Sequence, residues 1–190
     1  MKVILASKSP RRRELLSELF EKFDIKTADV DESLPAGLEI AKAVEILAKR
    51  KGAPIAEVEG DALVISSDTL VELDGVALGK PKNEEEASEM LRSLSARSHN
   101  VHTGIAVSYK GRVFSSTATS SVYFKELSDA EIDEYVKSGE PMDKAGAYGI
   151  QGAAGKFVSK YEGDFDTIVG LSLRLTKKLV NDALSGEFEK

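Results

Sequence analysis

Two apolar runs constrain this chain more than any other feature: "VILA" at residues 3–6 and "ALVIS" at 62–66. Neither alternates polar with apolar, so each reads as a buried strand and not as one face of an exposed sheet. Segments with helical spacing lie between and after them. Ser9 can cap a helix that opens on Pro10, with Leu15, Leu16, Leu19 and Phe20 as its apolar stripe. A longer helix is predicted from about Glu39, where Ile40, Val44, Leu47 and Ala48 share a face, and it is expected to end at Lys51.

The rest of the chain continues the alternation. "FDIKTA" suggests a strand, and "LVELDGVALG" a hairpin turning at Asp74-Gly75. "NEEEASEMLRSL" is a helix capped by Asn83, with acids in its first turn as the helix dipole favours. Two long strands meet at Lys110-Gly111. "SDAEIDEYVKSG" has a Ser128 cap, a capping-box Glu131 and a Gly139 stop. A glycine-rich loop, a strand near Phe157–Tyr161 and a last helix from about Asp166 complete the reading. With no repeat and no linker, the expectation is a single α/β domain over residues 1–190, formed of two lobes.

Charge and composition remove several classes of function. The net charge of −6 means that any attraction for phosphates must come from a local patch. The absence of cysteine excludes disulfides and thiolate metal sites. The apolar start is short for a signal peptide, and no run of about eighteen apolar residues could span a bilayer. A soluble, cytoplasmic protein is expected.

The local patch is "SKSPRRR". Arg11, Arg12 and Arg13 crowd a helix N-terminus, where the dipole disfavours cations. A bound phosphate would reverse that sign, because the first-turn N–H groups and the guanidiniums would then share one anion. The other reading is a solvated basic turn paired to Glu14 or Glu18. Asp68 in "SSDT" directly follows a buried apolar run, which places it near a strand's carboxyl end, where ligand crevices form in α/β sheets. No helix follows that would need it as a cap. Asp31 and Glu32 are ordinary loop acids unless folding carries them to Asp68, where two carboxylates and a phosphate would suit Mg²⁺. Lys51 and Lys80 read mainly as solvent lysines, Lys80 being the more suggestive before Pro81.

Other motifs fail. His99 and His102 point to opposite faces of a strand and make a poor metal pair. "GIQGAAGKF" lacks both the first glycine and the final Ser/Thr of a phosphate-binding P-loop, since Ile150 and Phe157 stand there. Its glycines are expected to let a loop approach a flat ligand, with Gln151 able to read a base edge.

Four blocks together, "ILASKSPRRRELL", "SSDTLVELDG" with "LGKP", "SHNVHTGIAV" and "EPMDKAGAYGIQG", resemble the Maf family of nucleotide pyrophosphatases in order and spacing, from Ile4 to about Leu173. The resemblance implies an elongated mixed-sheet α/β fold similar to the inosine triphosphate pyrophosphatases, with a cleft between two lobes. It implies hydrolysis of nucleoside triphosphates to monophosphate and pyrophosphate with Mg²⁺, Mn²⁺ or Co²⁺. It also implies a homodimer and a link to arrest of cell division, while the net acidity and the absence of an aromatic-laced basic face disfavour a stable nucleic-acid partner, and no membrane partner is expected.

By the same resemblance Asp68 activates water, and Glu32 and Asp68 hold the metal. Ser7, Arg11, Arg12, Lys51 and Lys80 surround the phosphates, while Arg11, Thr69 and Gln151 set specificity. "SPRR" and "AYGIQG" follow the branch that looks like a dTTP and UTP pyrophosphatase; the other branch carries Glu in place of Gln151. Gly52 departs from the alanine usual after the lysine. A non-catalytic nucleotide- or nucleic-acid-binding regulator of cell division is the alternative, and a plain phosphatase releasing orthophosphate is a third.

Overall fold

Val3–Leu5 form strand β1, every residue of it buried, in the computed structural model, which describes residues 1–185. After it come α1 (Pro10–Ser17), β2 (Asp24–Ile25), α2 (Ile40–Glu59), β3 (Leu63–Leu73), β4 (Val76–Leu78) and α3 (Glu84–Leu94). The chain continues with β5 (Ser98–Tyr109), β6 (Arg112–Phe124), α4 (Asp129–Lys137), β7 (Val158–Glu162), α5 (Phe165–Val169) and α6 (Leu173–Ser185). The strands form one seven-stranded mixed sheet of order β2-β1-β3-β5-β6-β7, with β4 paired to β3. β1 is parallel to both β2 and β3, whereas β4 and β7 are antiparallel to their partners. No helix among the described residues is long and apolar enough to cross a membrane.

The chain divides into two compact units. The first holds Met1–Asp68, Thr103–Ala118 and the chain from Gly170 onward; the second holds Thr69–His102 and Thr119–Val169. In the first, Ile4, Ala6, Ile55, Ala62 and Val64 form a core cluster. α2 lies very close to the strands there. A Cβ on Gly104 would stand 2.3 Å from the backbone carbonyl of Val44, and one on Gly52 would stand 2.6 Å from Ser66 Oγ. In the second unit Val71, Leu91, Phe124, Ile132, Tyr135 and Phe157 belong to a larger core.

The caps lie where they were expected. Ser9 accepts from Arg12 N–H, Asn83 from Glu86 N–H, and Ser128 with Glu131 closes a capping box. Both hairpin turns take two successive left-handed residues, Asp74-Gly75 (φ 53° and 78°) and Lys110-Gly111 (φ 47° and 74°), as tight hairpins require.

Several expectations are corrected. α1 stops at Ser17, so Leu19 and Phe20 lie beyond it and only Leu15 and Leu16 form its buried face. α2 does not end at Lys51 but runs on through Pro54 to Glu59. Burial of Ile55 on the far side of the proline offsets the cost of a proline inside a helix, about 3 kcal/mol. The last helix is two, because Gly170 between them takes φ 125°. β3 continues past Asp68 to Leu73, so Asp68 lies inside a strand and not at its end.

Candidate active site

The first turn of α1 is tied to its surroundings by small polar groups. Ser7 Oγ accepts from Ser9 N–H at 3.2 Å and from Arg12 Nη1 at 3.4 Å. Arg12 Nε donates to the Gly170 carbonyl at 2.9 Å, which also accepts from Ser67 Oγ at 2.9 Å. The bend at Gly170 thus turns a carbonyl toward the arginine. Burial pushes the Arg12 guanidinium below its ordinary value, Asp68 and Glu32 pull it back up, and neighbouring Arg11 lowers it. Arg11 is half-buried beside it, and Arg13 is exposed.

Asp68 is 7% exposed, and no residue of β3 from Leu63 to Ser67 is more open. Lys51 projects from the middle of α2, and its Nζ stands 2.5 Å from Asp68 Oδ1 and 3.1 Å from Glu32 Oε1. One ammonium therefore joins the two carboxylates. The position within α2, not the helix end predicted for it, is what gives Lys51 this reach.

The structure separates the two loop acids. Asp31 accepts from Ser33 N–H and Ser33 Oγ at 2.8 and 2.7 Å, bonds that hold it below the usual carboxylate range. Glu32 is left for Lys51. Arg50 fastens this loop to α2 by donating to the Asp31 and Ser33 carbonyls at 3.1 and 2.6 Å. Sequence reasoning missed Arg50, Ser67 and Gly170. Two act on or through backbone carbonyls and the third supplies one, and no side-chain pattern signals that role.

In the first unit the fold thus gathers Ser7, Arg12, Glu32, Lys51 and Asp68, with Arg11 adjoining. Thr69, Lys80 and Gln151 belong to the second. Thr69 is half-buried on β3, one residue past Asp68 and so on the opposite face. Lys80 is exposed after β4, and Gln151 is exposed in a turn. The two segments that carry them meet, since Gly146 N–H donates to the Gly79 carbonyl at 3.0 Å.

The glycine loop packs closely against its own unit. Cβ atoms on Gly146, Gly149 and Gly152 would fall within 3.0 Å of Val71, Lys144 and Glu140 respectively, so these glycines make room for the protein's own side chains. Only Gly146 of the three has a positive φ, 67°.

The histidines go separate ways. His99 Nε2 pairs with Tyr148 Oη at 2.7 Å, and His102 contacts Glu72 at 2.5 Å and Thr119 at 2.8 Å. Among the described residues no group of three or more His, Cys, Asp or Glu gathers as a metal cage. Glu32 and Asp68 fit a different kind of site. Two carboxylates that already share one cation suit a hard divalent ion that takes its other ligands from phosphate oxygens and water.

A family model described as Maf-like protein matches residues 2–183. A protein of Pelotomaculum thermopropionicum named dTTP/UTP pyrophosphatase is 50% identical over 175 residues, covering 90% of this chain and 91% of that protein. Proteins of the same name from Caldicellulosiruptor saccharolyticus and Vibrio cholerae are each 44% identical, over 98% and 95% of this chain and 98% and 97% of their own lengths. Among solved structures, the Ham1 protein of Staphylococcus aureus superposes with a TM-score of 0.48 at 18% identity, covering 68% of this chain and 73% of that one.

Proposed function

The chain belongs to the Maf-like protein family, and on that footing we propose that it is a nucleoside triphosphate pyrophosphatase acting on dTTP and UTP. The products are the nucleoside monophosphate and pyrophosphate. The observation that carries the reading is the buried Asp68 carboxylate, in contact with Lys51 and in the field of Arg12. Together they support the reading of Asp68 as a base with cations about it in the first unit, where Arg12 belongs to the first turn of a helix, a turn that favours anions.

In this mechanism the Asp68 carboxylate accepts a proton from water as the water oxygen attacks the α-phosphorus. A bond from water oxygen to phosphorus forms, and the bond from phosphorus to the α–β bridging oxygen breaks. Pyrophosphate leaves on the side opposite the attack. Arg11, Arg12, Lys51 and Lys80 neutralise the leaving group, which is chiefly a matter of positioning and electrostatics. Ser7 supplies a hydroxyl to the phosphates. Glu32 and Asp68 would hold Mg²⁺, Mn²⁺ or Co²⁺, whose Lewis acidity withdraws charge from the phosphoryl oxygens when bound.

Gln151 reads the pyrimidine, its amide offering a donor to O4 and an acceptor to N3–H, with Thr69 and Arg11 completing the selection. The same reading takes the protein as a cytoplasmic homodimer with no stable nucleic-acid partner.

The test is product analysis of dTTP, UTP, CTP and GTP turnover with each of the three metals. Pyrophosphate from dTTP and UTP is expected. Orthophosphate alone would make the protein a plain phosphatase, and no turnover would leave a binding protein.

A further inference from the structure

Gln151 sits in an exposed turn, and an exposed amide discriminates between bases only if its backbone is held still. What holds the turn is a carboxylate outside it. Glu140 Oε1 accepts from Tyr135 Oη at 3.1 Å, and Glu140 Oε2 accepts from Ala153 N–H at 3.2 Å. Gly149 N–H donates to the same Tyr135 oxygen at 3.3 Å. The residues on either side of the turn, Gly149 and Ala153, are therefore both tied to one side chain, one through tyrosine and one directly. Lys144 closes the arrangement from the other end, with its Nζ 2.7 Å from the Glu140 carbonyl.

Packing says the same thing. A Cβ on Gly152 would stand 2.0 Å from Glu140 Oε1 and 2.7 Å from Cδ, and one on Gly149 would stand 2.6 Å from Lys144 Cε. The glycines next to Gln151 leave room for this brace. Tyr135 is 2% exposed, and burial with Glu140 beside it pushes the phenol above its ordinary value, so it stays a donor.

We infer that Glu140, through Tyr135 and Ala153 N–H, is the positioning residue that sets the pyrimidine preference by fixing the Gln151 turn. This rests on the base-reading role proposed above for Gln151. Glu140 touches no reacting atom; its effect falls on KM and on the choice of base.

Steady-state kinetics on dTTP and GTP for wild type, Glu140→Gln, Glu140→Ala and Gly152→Ala test it, with thermal unfolding of each as the check on folding. In Glu140→Ala, KM for dTTP is expected to rise about tenfold, with a smaller fall in kcat and a similar loss in the dTTP-to-GTP ratio of kcat/KM. Glu140→Gln keeps the shape and one acceptor oxygen, and should restore most of the preference. Gly152→Ala should reproduce the loss by pushing the carboxylate aside. Combined with Glu140→Ala it should add little, because both changes break one contact.

Wild-type selectivity in both Glu140 variants overturns the inference while leaving the proposed activity standing. So does an equal fall in kcat for both nucleotides at unchanged KM, which is loss of stability alone. A wild-type protein that turns over dTTP and GTP equally overturns the base-reading role itself. Should Glu140→Ala fail to fold, Gly152→Ala decides by the same readouts, and wild-type selectivity in it overturns the inference.

Discussion

The two units each bury a polar pair, and they treat it in opposite ways. In the first, Lys51 and Asp68 meet as ions, with Glu32 on the same ammonium and the half-buried Arg12 in their field. In the second, His99 and Tyr148 meet as neutral groups packed edge-on against Phe124. His99 is 3% exposed, and burial pushes its pKa down to about 4. Its Nδ1 has no hydrogen-bond partner among the described residues. The lesson concerns what a fold does with buried polarity. A group whose only task is packing sheds its charge, whereas charge kept in a semi-buried place at a desolvation cost marks the place where chemistry is expected.

The contrast can be broken most forcefully at Asp68. Asp68→Asn is expected to lower pyrophosphate release from dTTP by about 10³-fold, the range of a general base, with an unchanged circular-dichroism spectrum. Turnover near wild type would show that the ionised pair is not the catalytic one.

The second effect, about 3 kcal/mol at most, is on stability and belongs to His99. Its folded pKa of about 4 lies below the unfolded value near 6.5, so between these the unfolded chain takes a proton that the folded one refuses. The stabilisation is complete above pH 6.5 and is lost as the pH falls toward 4. Urea unfolding at pH 4.5 and 7 should show a smaller drop for His99→Gln than for wild type. Equal drops would mean that His99 is not the neutral member of the comparison.

Arg12→Ala should come next, lowering kcat/KM for dTTP about 50-fold, because it removes one charge-assisted donor to phosphate. The pH-dependent loss of stability should stay as in wild type, since Arg12 carries its charge throughout that range. A KM and kcat both unchanged would return α1 to being merely a basic turn.

The smallest effect tests the packing that carries Lys51. Gly52→Ala gains helix propensity but drives a methyl against Ser66 Oγ, which donates to the Ala48 carbonyl at 2.6 Å. A double-mutant cycle with Ser66→Ala should give a coupling of about 1 kcal/mol, the alanine at 52 being tolerated only once the hydroxyl is gone. Additive effects would remove Ser66 as the reason for glycine there.

Much of the fold was legible beforehand because its signals are local. Ser9 before Pro10, Asn83 before three glutamates, Ser128 with Glu131, and the Asp74-Gly75 and Lys110-Gly111 turns each satisfy backbone groups within a few residues, and all stand as read. The errors fell where distant packing overrides local preference. Ile55 carries α2 past a proline, Gly170 splits the last helix, and β3 runs on through Asp68.

By itself the sequence determined the element types, the caps and turns, and the blocks that place the chain in its family. All of these depend on neighbours in the chain or on motif order. Only the tertiary structure decided that Lys51 bridges Asp68 and Glu32 while Asp31 turns to Ser33, that the Gly170 carbonyl receives Arg12, and that Gly152 makes room for Glu140. Each of these depends on the separation of groups far apart in sequence, and hydrogen bonds and ion pairs weaken within a fraction of an ångström to a few ångströms. Residue order can nominate such partners, but only the packed backbone brings them within reach.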